Sequence, residues 1–441
     1  MSTPPILVDQ IIEARWIIPV EPDDTTLEHH SLVIQGERIL DLLPTEQARQ
    51  RYTARETTVL GEHILMPGLV NLHCHAAMTL LRGLADDLPL MRWLQEAIWP
   101  TEARHVGHAF VHDGSLLAAA EMLKGGITTC NDMYFYPDAT AQAFARVGLR
   151  SVLGITVIDF PSGYGQNAEE YIAKGLAARE AWGQHPLIRF AIAPHAPYTV
   201  SDQNFERLGQ LAEDLDLPIH VHLHETAQEV ADSLRDHGQR PIARLDALGL
   251  LSPRLIAVHA VHLDETDRST LAARGCSVAH CPTSNMKLAS GAAPVADLVA
   301  RGIPVGLGSD GAASNNRLDL LREMQQASLL AKLTTGDAAA LPAHQILRMA
   351  TLEGARALGM DADIGSLVPG KLADLCAVKL DAPETQPCYH PISHLVHVLG
   401  REAVSDVWVS GKRCLTQGKL LQITNTELLS VAQLWQNKIH L

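Results

Sequence analysis

Met66-Pro67-Gly68-Leu69-Val70-Asn71-Leu72-His73-Cys74-His75 is an apolar run that closes on two histidines one residue apart. Read as a strand over 66–72, it carries His73 and His75 at its carboxyl end. Strand side chains alternate between faces, so both imidazoles project the same way. Two imidazoles on one face can share a metal ion, and imidazole suits zinc and its first-row neighbours. Two half-buried histidines bonded to backbone would give the same short pattern, so the remaining ligands have to come from elsewhere in the chain.

The run opens a long middle region, 66–365, in which short apolar stretches alternate with helix-forming ones. Strands are predicted at 66–72, 126–131, 150–157, 188–194, 218–224, 254–259, 276–280 and 303–309. Each is continuously apolar, as strands covered on both faces are. Alanine- and leucine-rich segments at 109–124, 166–182, 203–215 and 227–248 supply helix formers between them. Eight strands alternating with helices predict an α/β fold, a (β/α)8 TIM-type barrel. Such a barrel uses about 250 residues as one unit, which leaves sequence at both ends of this 441-residue chain. Residues 1–65 read as short strands at 6–8, 14–20 and 31–39, with Gly36 as a hairpin signal. The same texture returns at 371–378 and 404–412. Segments 1–65 and 366–441, the latter with a terminal helix, are therefore expected to build one small β-sandwich domain beside the barrel.

Composition narrows the function classes. Hydrophobic residues at 46% and charged residues at 19% describe a globular protein, and no apolar run reaches the roughly 20 residues that span a bilayer. Membrane insertion is not expected. The start Met1-Ser2-Thr3-Pro4-Pro5 has no basic, apolar and small-residue succession of a secretion signal. Seven scattered cysteines without Cys-x-x-Cys point to reduced thiols in a cytoplasm and away from a thiolate zinc finger. A formal net charge of −15 argues against nucleic acid as a partner.

In a barrel of this kind the chemistry sits where the strands end. Strand one ends in His73 and His75, strand four in His195, strand five in His220-Val221-His222-Leu223-His224-Glu225, strand six in His259, and strand eight in Ser309-Asp310-Gly311. Singly, each has an ordinary explanation as a turn or a satisfied core residue. Gathered at equivalent ends of one barrel, imidazoles and a carboxylate make a metal site with room for water, as hydrolytic chemistry requires. Alternation puts His220, His222 and His224 on one face, so spacing alone leaves the ligand among them open.

These stretches, together with Met78-Thr79-Leu80-Leu81-Arg82-Gly83-Leu84-Ala85-Asp86-Asp87-Leu88, Ala193-Pro194-His195-Ala196-Pro197-Tyr198, Ser309-Asp310-Gly311-Ala312-Ala313-Ser314-Asn315-Asn316 and Gly365-Ser366-Leu367-Val368-Pro369-Gly370-Lys371, resemble the amidohydrolase superfamily. Within it the chain is similar to the methylthioadenosine/S-adenosylhomocysteine deaminases over nearly its whole length. The resemblance implies a metal held by His73, His75, His222 and Asp310, with Glu225, His259 and Asp310 catalytic. It implies one divalent ion, zinc first, since strand four offers no lysine that could be carbamylated to bridge two. The implied reaction is hydrolytic deamination of a 5′-substituted adenosine by a metal-activated hydroxide, with Glu225 protonating the purine. The implied partner is a small-molecule nucleoside, and the implied assembly a homodimer.

The segment 76–105 is longer than an ordinary βα connection and has the length of a lid. By resemblance its Trp93 lies against the nucleoside, Glu102 bonds the ribose hydroxyls, and His195 is a further substrate contact. Relatives that take S-adenosylhomocysteine place arginines after strand three to meet its carboxylate, whereas 159–170 here has none. A carboxylate without a partner binds poorly. Methylthioadenosine therefore ranks above S-adenosylhomocysteine. Competing readings are a guanine, pterin or cytosine deaminase, a triazine chlorohydrolase and, outside enzymes, an inactive barrel serving as an assembly subunit.

Overall fold

The computed structural model describes residues 4–440. Eight parallel strands run in chain order around a barrel: Leu69–Cys74, Ile127–Asp132, Arg150–Val157, Ile188–Pro194, Ile219–Leu223, Leu255–His259, Ser277–His280 and Val305–Leu307. They are the first to eighth barrel strands below. Asp310 N donates to His73 O at 3.0 Å, and Ser309 N to Asn71 Oδ1 at 2.9 Å, which ties the end of the eighth strand to the first. Side chains of Val70, Leu72, Val152, Ala191, Ile256, Val258 and Ala279 form one connected apolar cluster. Strands that far apart in the ring meet only through its interior, so the barrel is filled and not hollow.

A second eight-stranded sheet draws on both ends of the chain. Its hydrogen-bonded order is Lys419–Leu420, Lys412–Thr416, Val404–Val409, Leu375–Lys379, Tyr52–Pro67, Ile6–Ile17, Leu27–Gln35 and Arg38–Pro44. Gly36 sits in the hairpin between the last two with φ +61°, a conformation that only glycine adopts freely.

The opening run is therefore not one strand. Met66 and Pro67 pair with Cys376 and Leu375 in the terminal sheet, and the first barrel strand begins at Leu69. The chain changes sheets at Gly68, whose N–H donates to Asp374 O at 2.9 Å. A Cβ at this position would lie 2.1 Å from Thr128 Oγ1, so the crossing needs glycine. Sequence periodicity could not locate the break, because both pieces are apolar.

The helix-forming segment 227–248 builds two helices, Ala227–His237 and Pro241–Ala247. They part at Gly238 (φ +69°) and at Pro241, which occupies the first turn of the second helix. The stretch 76–105 is largely helical: a 3-10 turn at Ala76–Leu81, then Leu90–Trp93, a π-type turn at Leu94–Ile98, and Trp99–His105. It stands over the carboxyl ends of the barrel strands and supplies wall to the cavity there. No helix among the described residues is long and apolar enough to cross a membrane.

Candidate active site

The carboxyl ends of the barrel strands bring His73, His75, His222, His259, Glu225 and Asp310 together. Pairing between the first two strands slips between Asn71 and Cys74, so simple alternation does not carry through this segment. Leu72 belongs to the interior cluster, and His73 also lies inside, its Nδ1 3.0 Å from His220 Nε2. His75 follows the strand, with its Nδ1 2.6 Å from Met133 O. In the fifth strand Ile219, Val221 and Leu223 face outward into the main core, which turns His220 and His222 inward.

The ring protons are assigned by what the Nδ1 atoms meet. His75 Nδ1 faces Met133 O, and His222 Nδ1 lies 2.7 Å from His195 O. A carbonyl only accepts, so each imidazole carries its proton on Nδ1 and a lone pair on Nε2. Those two Nε2 atoms are 3.3 Å apart. Asp310 Oδ1 stands 3.4 Å from His73 Nε2 and 3.5 Å from His75 Nε2. His73 Nε2 is buried with no hydrogen-bond partner. Burial holds the His73 pKa down at about 4, and that of His222 well below its ordinary value. Burial alone would push Asp310 upward, but the imidazoles of His73, His75 and His259 around it hold its carboxyl well below the usual range. Lone pairs and a carboxylate that converge without protons between them repel one another unless a cation lies among them. The donor set of imidazole nitrogens and one carboxylate oxygen fits a divalent first-row ion.

Backbone strain is concentrated here. His224 (φ +56°), His259 (φ +72°), Ala260 (φ +48°) and Asp310 (φ +58°) are non-glycine residues in the left-handed region, at about 1–3 kcal/mol each. Local bonds offset it: Glu229 accepts from the N–H groups of His224 and Glu225, both at 2.8 Å, and Gly311 N donates to Asp310 Oδ1 at 2.7 Å. His224 is a structural residue, with its Nδ1 3.0 Å from His262 O and its Nε2 accepting from Ile242 N at 3.0 Å.

Glu225 is buried beside the cluster without belonging to it. Its Oε2 is 3.8 Å from His259 Nε2, and Ser290 Oγ donates to its Oε1 at 3.4 Å. Burial pushes its pKa up, against the pull of His259. A buried carboxyl with a raised pKa is chemically suited to proton transfer.

A cavity of about 410 Å³ opens above this floor, within the roughly 300–1,000 Å³ of small-molecule sites. Trp93, Glu102 and His195 all line it. Glu102 accepts from the Tyr134 hydroxyl, and burial raises its pKa to about 7 against that bond. His195 meets Thr199 Oγ1 at 3.0 Å through Nδ1, while burial holds its pKa down at about 3. Trp99 and Phe160 meet edge to face at 6.2 Å between centroids near the mouth. Among the described residues no lysine or arginine lines the cavity, whereas Glu102, Glu225 and Asp310 do.

Sequence reading missed the supporting groups. Asp132 accepts from Ala76 N at 2.7 Å and so anchors the turn behind His75; Ser284 and Asn285 contact Asp310 and His259. Asp132 ends the second strand, and Ser284 and Asn285 follow the seventh, so position at a strand end was the signal that could have found them.

Comparison with known proteins matches residues 64–414 to the amidohydrolase family model. A protein from Teredinibacter turnerae named 5-methylthioadenosine/S-adenosylhomocysteine deaminase is 45% identical over 98% of both chains. One of the same name from Saccharophagus degradans is 45% identical over 98% of this chain and 97% of its own. The crystal structure of an adenosine deaminase from Xanthomonas campestris with bound zinc superposes with a TM-score of 0.98 at 49% identity, covering 99% of this chain and 100% of that one. Atrazine chlorohydrolase from Arthrobacter aurescens shares the fold, with a TM-score of 0.90 at 23% identity over 97% of this chain and 99% of its own.

Proposed function

The chain belongs to the amidohydrolase family, and we propose that it is a hydrolytic deaminase of 5′-substituted adenosines, releasing ammonia and the inosine analogue. The observation that carries this reading is the placement of Glu225, a buried carboxyl with a raised pKa, beside a lone-pair cluster at the floor of a largely apolar cavity. Full-length relatives named for this activity support it.

In this reading His73, His75, His222 and Asp310 hold one divalent ion, zinc by the chemistry of the donors. When bound, that ion supplies Lewis acidity and makes water a better nucleophile at neutral pH. The chain's own groups do the rest. Glu225 protonates a ring nitrogen of the purine, so that the carbon bearing the amino group accepts water. His259 orients the water through its Nε2 lone pair, and Asp310 takes its proton. Glu225, now a carboxylate, takes the proton of the new hydroxyl as this becomes the carbonyl and passes it to the departing amine, which leaves as ammonia, and the proton held by Asp310 restores the Glu225 carboxyl. Trp93 lies against the base, Glu102 accepts hydrogen bonds from the ribose hydroxyls, and His195 is a further contact. The 5′ substituent then points toward the mouth at Trp99 and Phe160. With no cationic side chain there among the described residues, an uncharged alkylthio group is preferred to a tail that carries a carboxylate. Seven unpaired cysteines, six of them buried, support a reducing, cytoplasmic setting.

The test is parallel turnover of methylthioadenosine, S-adenosylhomocysteine, adenosine, 5′-deoxyadenosine and guanine by the zinc-loaded protein, following ammonia. The expected result is fastest turnover of methylthioadenosine. Preference for guanine over every nucleoside would overturn the reading.

A further inference from the structure

The turn after the seventh barrel strand touches both groups that handle the water's protons. Pro282–Lys287 is a short helix, and its consecutive residues Ser284 and Asn285 are fully buried. Ser284 Oγ donates to Asp310 Oδ2 at 2.6 Å. Asn285 Oδ1 lies 2.8 Å from His259 Nδ1. The turn is itself pinned from behind. Thr283 N donates to Glu323 Oε2 at 3.0 Å, and the other oxygen of that buried carboxyl accepts from Asn315 Nδ2 at 2.9 Å. Asn315 Nδ2 also donates to Ser309 O at 2.6 Å, beside Asp310. The backbone bearing Asp310 and the turn that reaches it are thus held by one carboxyl.

We infer that Ser284 and Asn285 are positioning residues, acting on the reaction through Asp310 and His259. A neutral imidazole has one donor and one acceptor nitrogen. With an amide oxygen at its Nδ1, His259 carries its proton there and turns the Nε2 lone pair toward Glu225 and the cavity, where it accepts a hydrogen from water. The opposite tautomer would present an N–H to that water and hold it the wrong way round. Ser284 occupies Asp310 Oδ2 and leaves Oδ1 facing His73 and His75. Asn285 Nδ2 is buried without a partner, an arrangement that costs stability. Packing alone gives no reason to keep it, whereas orienting His259 does.

The inference rests on the deaminase reading and deepens it, and its first measurement needs no substrate. In metal-loaded protein labelled with 15N-histidine, two-bond 1H–15N correlations, with His259 assigned by comparison with His259→Asn, are expected to show Nδ1–H and a bare Nε2. Asn285→Leu is expected to lose that tautomer preference and about 10–100-fold in kcat, the range for outer partners of a metal site, with KM and metal content unchanged. Asn285→Asp, which keeps an acceptor, is expected to restore the tautomer and most of kcat. Ser284→Ala is expected to lower kcat with metal retained. Finding Nε2–H in the wild type, wild-type kcat in Asn285→Leu, or equal losses in the Leu and Asp variants would overturn the inference. If the Leu variant does not fold, the wild-type tautomer and the Asp variant decide. A wrong substrate assignment would leave the tautomer result standing, so the two failures are distinguishable.

Discussion

Charge at the cavity mouth sets the sharpest expectation. The homocysteine tail of S-adenosylhomocysteine would bring a carboxylate into a space lined by Glu102, Glu225 and Asp310 and by no lysine or arginine. A cationic partner 4 Å from that carboxylate would contribute about 4 kcal/mol at an effective dielectric of about 20. The tail's ammonium recovers part of the loss against the cavity's own carboxylates. At about 1.4 kcal/mol per tenfold, methylthioadenosine should exceed S-adenosylhomocysteine by about 10²–10³ in kcat/KM. Phe160 lies at the mouth, 41% exposed and edge-on to Trp99. Phe160→Arg adds a guanidinium where the tail would pass. One charge-assisted bond of about 1.5 kcal/mol should shift the ratio toward S-adenosylhomocysteine about tenfold, while Phe160→Leu leaves it near the wild-type value. Steady-state ammonia release on both substrates, with all three proteins, measures this. A wild-type ratio near one, or an arginine variant that changes both substrates by the same factor, would show that charge at the mouth does not set the preference.

Other expectations follow from the same geometry. Glu225→Gln removes the poised proton donor and should lower kcat by about 10²–10⁴, with KM little moved and metal retained by elemental analysis. Glu102→Gln should erode the preference for nucleosides over free bases, read as the kcat/KM ratio of adenosine to guanine; an unchanged ratio would remove Glu102 from ribose recognition. Chelation should lower the melting temperature, because a cation at 100 times its Kd stabilises the folded state by about 2.7 kcal/mol, and zinc should restore it. Glu323 has its pKa raised to about 7 by burial, from 4.5. The folded state then binds the extra proton between those values, so this group makes stability fall as pH rises from about 4.5 to 7, by about 3 kcal/mol at 1.36 kcal/mol per unit. Glu323→Gln should lose that falling component in denaturation at pH 5 and pH 8. The same fall in the variant would place the titration elsewhere.

How much could be read from the sequence follows from what a linear pattern encodes. Eight buried strands announce themselves because covered strands are apolar throughout, and six of their predicted starts lie within one residue of those found, from Ile127 to Ser277. The first did not, since an apolar run does not say where it leaves one sheet for another, and only the contact of Gly68 with Thr128 marks the crossing. Single residues at strand ends, His73, His222, His259 and Asp310, were legible because the fold gathers those ends. Spacing left His220, His222 and His224 equivalent, and hydrogen bonds separate them: His220 backs His73, and His224 holds the turns around it. Asp132, Ser284 and Asn285 stayed hidden because their importance lies in a partner distant in sequence, as with Asn285 and His259, 26 residues apart; Glu229 lies close to the N–H groups it holds, but on a helix where a glutamate is an ordinary residue.

A cation held by His73, His75, His222 and Asp310 is what deamination of a 5′-substituted adenosine depends on in the proposed mechanism. This dependence is tested most directly by stripping the protein with chelator, titrating zinc back, and following ammonia and the inosine analogue from methylthioadenosine. The expected result is no turnover in the stripped protein and full turnover at one zinc per chain, with His75→Ala failing both to bind zinc and to turn over. Undiminished deamination in the stripped protein, or none after a full equivalent of zinc has bound, would contradict it.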